Sequence, residues 1–543
     1  MKATDLFIDC LENEGVDIVF GIPGEETIAI MESLLDSNIQ FILTRHEQSA
    51  AFMADVHGRL TGKAGVCLST LGPGATNLIT GVANANLDRS PLIAVSAQVA
   101  RDKMHKETHQ YIDLVNAFYP VTKWNASIRD PGGIPEIVSK SFRIAQIEKP
   151  GAVHIEFPED VAAENVDLKP LAIREMPHTH CDPLEIGKAA DIIRNAQHPL
   201  ILAGNGVIRA DASEELRRFA EANGIPVVNT FMSKGVLPHD NDLSLLTIGL
   251  QMLDYAMCGM DKADVVLAVG YDIVEYSPSM WNPGRDKKII HVDSKRSEVH
   301  TCYEPVVELI GDIGPTLEEL TSNTGFGRHD DYMRLLRETL LRELEKNMRS
   351  DGVPVKPQRI LSEIRGAMGK DDILVSDVGM HKLWVARMFP AYRPNTVLIS
   401  NGFAAMGFGF PGGIAAKLLR PDRKVVVVTG DGGFMMNSQE IETANRLGVA
   451  LTVVIFNNGR LGSIEFKQRH FKRQIGVEFS NPDFVKYAES FGAVGYRIEK
   501  SEDLEPVLNE AVRSKGVCIV DVPIDYRENY ALVEKMGQII CPV

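Results

Sequence analysis

The chain has 543 residues and a formal net charge of −16 at pH 7. Hydrophobic residues make up 44% of the chain and charged residues 24%, which is typical of a soluble globular enzyme. A chain of this length predicts about two to four domains. The acidic balance argues against nucleic acid or an anionic membrane surface as a partner.

The cysteines and the first residues indicate in which cellular compartment the protein is expected. The seven cysteines are scattered, and none lies in a CxxC pattern. This predicts a reduced cytoplasmic protein, not a disulfide framework or a zinc ribbon. The opening stretch MKATDLFIDCLENEG predicts an acidic amphipathic helix, not a signal peptide. No stretch is long and apolar enough to span a membrane.

Residues 1–165 alternate strand and helix patterns and predict an N-terminal domain. The predicted strands are DIVFGIPG, FILTRH, AGVCLST and PLIAVSAQ. Helical stretches such as QSAAFMADVHGRL separate them. This alternation predicts a mostly parallel sheet with helices packed on it.

Two further units follow, and polar segments separate them. A central domain over 184–325 has the predicted strands PLILAGNG, IPVVNT, DVVLAVG and KIIHVD. A C-terminal domain over 356–530 has DILVSDVG, TVLIS, KVVVVTG, LTVVIFNN and VCIVDVPID. We therefore predict an α/β protein with three doubly wound parallel-sheet domains, the first and third being variants of one theme.

Two glycine patterns resemble nucleotide-binding loops only weakly. The stretch GFGFPG at 407–412 matches GxGxxG, but an acidic residue about 20 positions later is missing, since Asp422 comes too early. We expect these glycines to allow close helix packing. The GNG at 204–206 is a lone GxG after a strand, which is common.

The stretch GDGGFMMNSQEIETANRLGVALTVVIFNNG at 430–459 carries the first chemical signal. KVVVVTG before it and LTVVIFNN within it predict parallel strands, and SQEIETANRLG predicts a helix with Ser438 as N-cap and Gly448 as stop. Asp431 and Asn458 then meet at one edge of the sheet. A carboxylate, an amide and glycines suit Mg²⁺ and a diphosphate. The alternative is a plain βαβ unit with turn residues at both ends.

Glu47 in RHEQ is the second signal. It follows a strand and precedes a helix, so it could be a helix-start charge favoured by the helix dipole. However, GIPG at 21–24 and STLGPGATN at 69–77 also fall at the carboxyl ends of predicted strands. These loops share one edge of the sheet with Glu47, which favours a binding site.

Together these motifs resemble a known family. GIPG, RHEQ, TLGPGATN, SDVGMHKLW, NGFAAMGFGFP and GDG…NN are similar to the thiamine-diphosphate enzymes of the acetohydroxyacid synthase and pyruvate oxidase group. THQYID, PVTKW, GYDIVEY, ELIGDI, FVKYAESFGA and DVPIDY look most like acetolactate synthases, particularly the FAD-independent catabolic type. The resemblance runs from Ala3 to Asn529. It implies a pyrimidine-binding N-terminal domain, a central domain and a diphosphate-binding C-terminal domain.

The resemblance also implies the site residues. Mg²⁺ would be held by Asp431, Asn458 and the backbone carbonyl of Arg460. The residues around the thiamine diphosphate would be Pro23, Thr70, Asn77, Gly379, His381, Met406, Gly432 and Gly433. Among these, Met406 would be the bulky apolar residue that supports the bent cofactor. The catalytic residues would be Glu47, on the pyrimidine N1′, and Gln110, facing the substrate.

The implied reaction is the decarboxylation of pyruvate and its joining to a second 2-oxoacid, giving 2-acetolactate. Glu47 would donate a hydrogen bond to N1′, and burial would favour its protonated form. In the family Glu47 and Asp431 come from different subunits, so a homodimer is the minimal active unit and a homotetramer is common. The expected setting is a cytoplasmic transferase of branched-chain amino acid biosynthesis or of an acetoin pathway.

Some positions depart from the family pattern. Ser463 and Lys467 replace the Met and Trp of the anabolic enzymes, and the catabolic type has Gln at the second position. Lys467 could contact an acceptor carboxylate or belong to the basic surface run KQRHFKR. His109 replaces an anabolic Phe. The stretch GYDIVEYSPSMWN has no arginine before Arg285, so we do not expect FAD.

Three functions therefore stay open. The leading one is acetolactate synthase. Another thiamine-diphosphate decarboxylase or carboligase with a different acceptor, or a pyruvate oxidase-like enzyme, is the nearest alternative. The third is a cofactor-binding assembly protein without activity, which the presence of Glu47, Asp431 and Asn458 argues against.

Overall fold

The computed structural model describes residues 1–174, 177–249, 255–325, 327, 330–469, 473–530 and 541. These residues form three six-stranded sheets in which every strand pair is parallel. The predicted α/β class with three parallel-sheet units is confirmed. In the described part of the chain, no helix has the length and apolar character needed to cross a membrane.

The first sheet has the order β2-β1-β3-β4-β6-β5. Its strands are β1 Ile18–Gly21, β2 Gln40–Leu43, β3 Gly65–Ser69, β4 Leu92–Gln98, β5 Trp124–Ser127 and β6 Ala152–Pro158. The helices of this unit are α1 Ala3–Asn13, α2 Ile28–Leu35, α3 Glu47–Thr61, α4 Gly72–Leu87, α5 Leu114–Phe118, α6 Ile134–Gln146 and α7 Glu159–Ala162. The predicted N-terminal helix is therefore confirmed as α1.

The second sheet has the order β12-β11-β10-β7-β8-β9. Its strands are β7 Pro199–Ala203, β8 Val227–Asn229, β9 Ser244–Thr247, β10 Val265–Val269, β11 Lys288–Asp293 and β12 Pro305–Ile310. Its helices are α8 Pro183–Asn195, α9 Asn205–Arg209, α10 Ser213–Asn223, α11 Tyr255–Lys262, α12 Pro278–Trp281 and α13 Ile313–Asn323, and α14 Asp331–Leu344 leads onward. This strand order has a switch point between β7 and β10, where doubly wound folds bind nucleotides.

The third sheet has the order β14-β13-β15-β16-β18-β17. Its strands are β13 Ile373–Ser376, β14 Val397–Ile399, β15 Val425–Gly430, β16 Thr452–Asn457, β17 Val494–Arg497 and β18 Cys518–Pro523. Its helices are α15 Pro357–Ala367, α16 Met380–Met388, α17 Gly409–Leu419, α18 Asp431–Asn437, α19 Ile441–Arg446, α20 Gly462–Gln468, α21 Phe484–Ser490 and α22 Leu504–Ala511. The relative strand order equals that of the first sheet, which confirms the shared theme.

One predicted helix boundary is wrong. We expected a helix from Ser438 to Gly448 with Ser438 as N-cap. Instead α18 begins at Asp431, a 3₁₀ turn covers Ser438–Glu440, and α19 follows. The Ser438 hydroxyl lies 2.8 Å from that of Tyr487, so it does not cap a helix. The stop at Gly448 is confirmed, since this residue has a φ of +64°.

The glycines of GFGFPG allow close packing, as expected. A Cβ on Gly409 would lie 2.8 Å from the Cβ of Asp377, and one on Gly412 would lie 3.0 Å from Cγ2 of Val56. Val56 belongs to α3 of the N-terminal unit. The glycines thus bring α17 close to both β13 and α3.

The first and third units share one core across the α3–α17 contact. Phe52 on α3 meets Phe408 edge to face at 5.7 Å between ring centroids. Arg59 lies over the same Phe408 ring and bonds the buried Asp55 and Asp88. Its guanidinium also donates to the Ile399 carbonyl at 3.0 Å. The buried guanidinium of Arg59 therefore joins the two units. It is paired with two carboxylates, because a buried charge is costly without a partner.

The prediction of reduced cysteines is wrong for one pair. Cys258 on α11 and Cys541 near the C-terminus form a disulfide. The two residues are 283 positions apart in sequence. Such a pairing leaves no spacing pattern that a sequence could show, since only the fold brings the two segments together.

We predict that Gly413→Ala destabilises the third unit. A Cβ there would lie 2.3 Å from Cγ2 of Val427 in the middle of the sheet. Overpacking of this kind costs about 1–3 kcal/mol, so the melting temperature should fall. Gly187→Ala in α8 is the control, because a Cβ there meets nothing within 4 Å. Equal melting temperatures for Gly413→Ala and wild type would contradict the packing argument.

Candidate active site

A cavity of about 170 Å³ lies at the carboxyl ends of the third sheet. Loops after β13, β15 and β16 and the segment before α17 supply its walls. The lining includes every cofactor and metal residue that the sequence places in this domain: Gly379, His381, Met406, Asp431, Gly432, Gly433, Asn458 and Arg460. The structure therefore brings this whole set to one place.

Asp431 is the buried acid of the cavity, only 2% exposed. Its Oδ2 accepts the backbone N–H groups of Gly459 at 2.6 Å and Asn458 at 3.2 Å. Its Oδ1 accepts the N–H of Gly432 at 2.9 Å. Together with the Asn458 amide and a backbone carbonyl, the carboxylate forms a set of oxygen donors that fits a hard cation such as Mg²⁺.

The same cavity has open hydrogen-bonding capacity for an anionic group. Nε2 of His381 is buried and has no partner among the described residues. Burial lowers the pKa of His381 to about 3, so the ring is uncharged here. A Cβ on Gly379 would lie 2.8 Å from this ring, and one on Gly432 would lie 3.3 Å from Phe479. Only glycine leaves the backbone accessible at these points, which fits a diphosphate.

Asp377, which sequence reasoning missed, holds the segment that carries Met406. Its Oδ1 accepts the N–H of Gly407 at 2.9 Å and of Val378 at 2.8 Å. Its Oδ2 accepts the Thr429 hydroxyl at 2.9 Å. Burial raises the pKa of Asp377 to about 6. The side chain thus connects the ends of β13 and β15 with the segment that precedes α17.

Glu47 is largely buried although it stands at the start of a helix. It begins α3, but it is only 8% exposed, and His46 is the N-cap through Nδ1. Its Oε2 accepts the side-chain amide of Asn77 at 2.9 Å. A Cβ on Gly74 would lie 3.2 Å from Oε1, so the glycine leaves that oxygen accessible. The structure therefore brings Glu47 and Asn77 together, as the resemblance implies.

The other residues implied in the first unit lie around the same edge. The Thr70 hydroxyl donates to Glu26 at 2.6 Å, a partner that sequence reasoning missed. Pro23 belongs to the adjoining loop and is exposed. Gln110 is also exposed and has a φ of +58°, an uncommon conformation for a residue other than glycine. Such outliers are concentrated at functional sites.

In the described part of one chain, the two sets of residues do not line the same cavity. Among the described residues, all those that line the cavity around Asp431 fall within 378–526. Pro23, Asn77 and Gln110 of the other set are exposed to solvent. Apolar side chains are also exposed beside both sets, with Ile28 at 65% and Met436 at 49%.

Of the two positions that depart from the family pattern, only one lines the cavity. Ser463 and its neighbour Ile464 are part of the wall. Lys467 is exposed and does not line the cavity. The basic run KQRHFKR lies partly outside the described residues.

The switch point of the central sheet is filled by the protein itself. Glu275 accepts the N–H of Asn205 at 3.1 Å and of Asp272 at 3.3 Å, and it bonds the Thr230 hydroxyl. The loops after β7 and β10 touch, since a Cβ on Gly204 would lie 2.3 Å from the Gly270 carbonyl oxygen. The carboxyl group of Glu275 therefore lies between these two loops, at the point where doubly wound sheets bind a diphosphate.

Comparisons with known proteins agree with this geometry. Three models of thiamine pyrophosphate enzymes match the chain: the N-terminal TPP binding domain over residues 1–117, the central domain over 186–320, and the C-terminal TPP binding domain over 377–522. Fold and site therefore define a three-domain thiamine pyrophosphate enzyme.

Similar proteins show to which group of thiamine pyrophosphate enzymes the chain belongs. The acetolactate synthase of Bacillus subtilis (strain 168) is 37% identical, with 98% of this chain and 94% of the relative aligned. A probable acetolactate synthase large subunit of Methanocaldococcus jannaschii is 37% identical over 99% and 94%. A catabolic acetolactate synthase of Raoultella terrigena is 36% identical over 98% and 96%. The chain belongs to the acetolactate synthase family.

We predict a pH-dependent contribution of Glu275 to stability. Burial raises its pKa from an ordinary 4.5 to about 7. The folded protein therefore retains a proton that the unfolded chain releases, and this contribution is full below pH 4.5 and lost as the pH rises through 7. Over that range the loss is on the order of 3 kcal/mol.

The test compares melting temperatures of Glu275→Gln and wild type between pH 5 and 8. The variant should melt lower at pH 5, because glutamine accepts fewer N–H bonds, yet lose less on going to pH 8. The exposed Glu298→Gln is the control. Parallel pH curves for Glu275→Gln and wild type would refute the prediction.

Proposed function

We propose that this chain decarboxylates pyruvate and joins the acetyl unit to a second 2-oxoacid, giving 2-acetolactate when the acceptor is pyruvate. The observation that carries the proposal is the cavity in which Asp431, Asn458, His381 and the glycines meet, in a member of the acetolactate synthase family. Thiamine diphosphate would supply the nucleophilic carbon and the electron sink that the decarboxylation needs.

The residues of the third unit would bind and orient the cofactor. Asp431, Asn458 and the carbonyl of Arg460 would hold Mg²⁺, and the cation would neutralise diphosphate charge. His381 and the backbone at Gly379, Gly432 and Gly433 would receive the diphosphate. Met406 would support the cofactor from the cavity wall, and its position depends on the Gly407–Asp377 bond.

Glu47 would hold a proton and exchange it with the pyrimidine ring. Asn77 donates to Oε2, and Oε1, which Gly74 leaves accessible, would face the pyrimidine ring. A carboxyl group buried at this place can share that proton with a ring nitrogen, as a general acid–base group does. Gln110, in its strained loop, would contact the substrate.

A second copy of the chain would complete the site. Support comes from two surface regions of one chain: the described lining of the cavity belongs to the third unit, while Pro23, Asn77 and Gln110 are exposed. Exposed apolar residues such as Ile28 and Met436 beside these surfaces are typical of an interface. A homodimer would be the minimal active unit, and a homotetramer is compatible with the same contact.

The direct experiment is product identification. Purified protein is incubated with Mg²⁺, thiamine diphosphate and pyruvate, and the products are separated. We expect acetolactate. Acetaldehyde would indicate a simple decarboxylase, acetate an oxidase-like enzyme, and no product a protein without activity; each of these results would overturn the proposal.

We predict that Glu47→Gln slows proton–deuterium exchange at C2 of bound thiamine diphosphate. Glutamine retains the size and a donor but loses the acidic proton, and a placed acid–base group is worth about 10²–10⁴-fold. Cofactor affinity, measured separately, should change little, because the diphosphate and metal residues lie in the third unit. The exposed Glu25→Gln is the matched control. Wild-type exchange in Glu47→Gln would reduce Glu47 to a helix-start charge.

We also propose that the chain does not use FAD. The filled switch point at Glu275 supports this, as does the stretch GYDIVEYSPSMWN without arginine. We predict that purified protein shows no flavin absorbance and that added FAD does not change its activity. A stoichiometric flavin in the purified protein would show that the central-domain interpretation is mistaken.

A further inference from the structure

Asp431 is oriented by a side chain that lies 50 residues further along the chain. The amide nitrogen Nδ2 of Asn481 donates to Oδ2 of Asp431 at 2.8 Å. This is the third N–H bond to that oxygen, after those from Gly459 and Asn458. A carboxylate oxygen has about two lone pairs, so Oδ2 is saturated. Oδ1 receives one N–H, from Gly432, and retains acceptor capacity.

Asn481 is itself held in place. Its Nδ2 also donates to Oδ1 of Asn457 at 3.1 Å. The amide of Asn457 in turn donates to Oδ1 of the buried Asp521 at 2.8 Å, and Arg497 donates to Oδ2 of Asp521 at 2.6 Å. Asn457 and Arg497 are the last residues of β16 and β17, and Asp521 lies two residues before the end of β18. The chain of hydrogen bonds therefore runs along the sheet edge and ends at Asp431.

The direction of the Asn481 amide follows from its partners. Both groups that its Nδ2 meets are oxygens, one of Asp431 and one of Asn457. A flipped amide would place oxygen against oxygen at both contacts and lose both bonds. Asn481 therefore acts as a donor toward Asp431.

We propose that Asn481 is a positioning residue for the metal site, which saturates Oδ2 of Asp431 and thereby presents Oδ1 to the divalent cation. This rests on the proposed function, since it takes Asp431 as a metal ligand. Groups that hold a ligating carboxylate in this way set metal affinity as well as geometry, and their loss typically costs about 10–100-fold in affinity.

The test measures binding of Mn²⁺ in the presence of thiamine diphosphate, by electron paramagnetic resonance of the free ion. Asn481→Ala should weaken Mn²⁺ binding about 10–100-fold. Because the residue positions a ligand and does not react, saturating Mn²⁺ should restore kcat. Asn509→Ala is the matched control, since Asn509 lies on α22 and its amide donates to the Glu505 carbonyl. Its Mn²⁺ affinity should equal that of wild type.

Asn481→Asp separates positioning from direct ligation. It has the same shape but lacks the donor and adds a negative charge beside Asp431. If Asn481 positions Asp431, binding should weaken at least as much as in Asn481→Ala. If Asn481 is instead a metal ligand, the new carboxylate should keep or tighten Mn²⁺ binding, and the proposal fails. Asn481→Ser, which keeps a shorter donor, should lie between wild type and alanine, and it replaces Asn481→Ala if that variant does not fold.

Asp431→Ala separates a failure of the positioning role from a failure of the metal site. Loss of Mn²⁺ binding in Asp431→Ala together with unchanged binding in Asn481→Ala would overturn only the positioning role. Unchanged binding in Asp431→Ala would overturn the metal site and, with it, the function proposed above. Melting temperatures of the metal-free variants show whether each of them is folded.

Discussion

Parallel pairing of β15 with β16 is the constraint on which the site depends. Gly430 is paired with Phe456, so the residues that follow both strands emerge at one edge. A parallel connection needs an intervening helix, and α18 with α19 supplies it. Asp431 begins that helix, and Asn458 follows the second strand. A shift of the register by one residue would turn every buried side chain of β16 to the other face and separate the two groups.

The cavity also depends on contacts with the first unit. Asp88 accepts the N–H of Asn401 at 3.2 Å, and Asn84 accepts the Ser400 hydroxyl at 2.8 Å. These bonds fix the segment that leads to Met406. Asn84 and Asp88 belong to the buried group around Arg59. Hydrogen bonds therefore connect the α3–α17 contact with the wall of the cavity. Changes in the first unit can therefore alter the cofactor cavity without touching it.

The sequence alone predicts much of the fold and part of the candidate site. Continuous apolar runs such as KVVVVTG predict the strands. The polar residues Asp431, Asn458 and Glu47 at strand ends predict the place of the binding site. Asn481, Asp377 and Glu275 could not be found in this way. Each acts through a partner distant in sequence, and each looks like an ordinary turn or loop residue. The early start of α18 was missed because glycines at 432 and 433 are poor helix formers in isolation, while here buried packing and the strand end determine the backbone.

The disulfide between Cys258 and Cys541 has a topological consequence. It closes a covalent ring that contains the end of the central unit, α14 and the whole third sheet. A single proteolytic cut anywhere inside this ring opens the loop but releases no fragment. The two pieces of a nicked chain would migrate as one band until the disulfide is reduced. For this protein, an intact band under non-reducing conditions is therefore no evidence of an uncut backbone between α11 and the C-terminus.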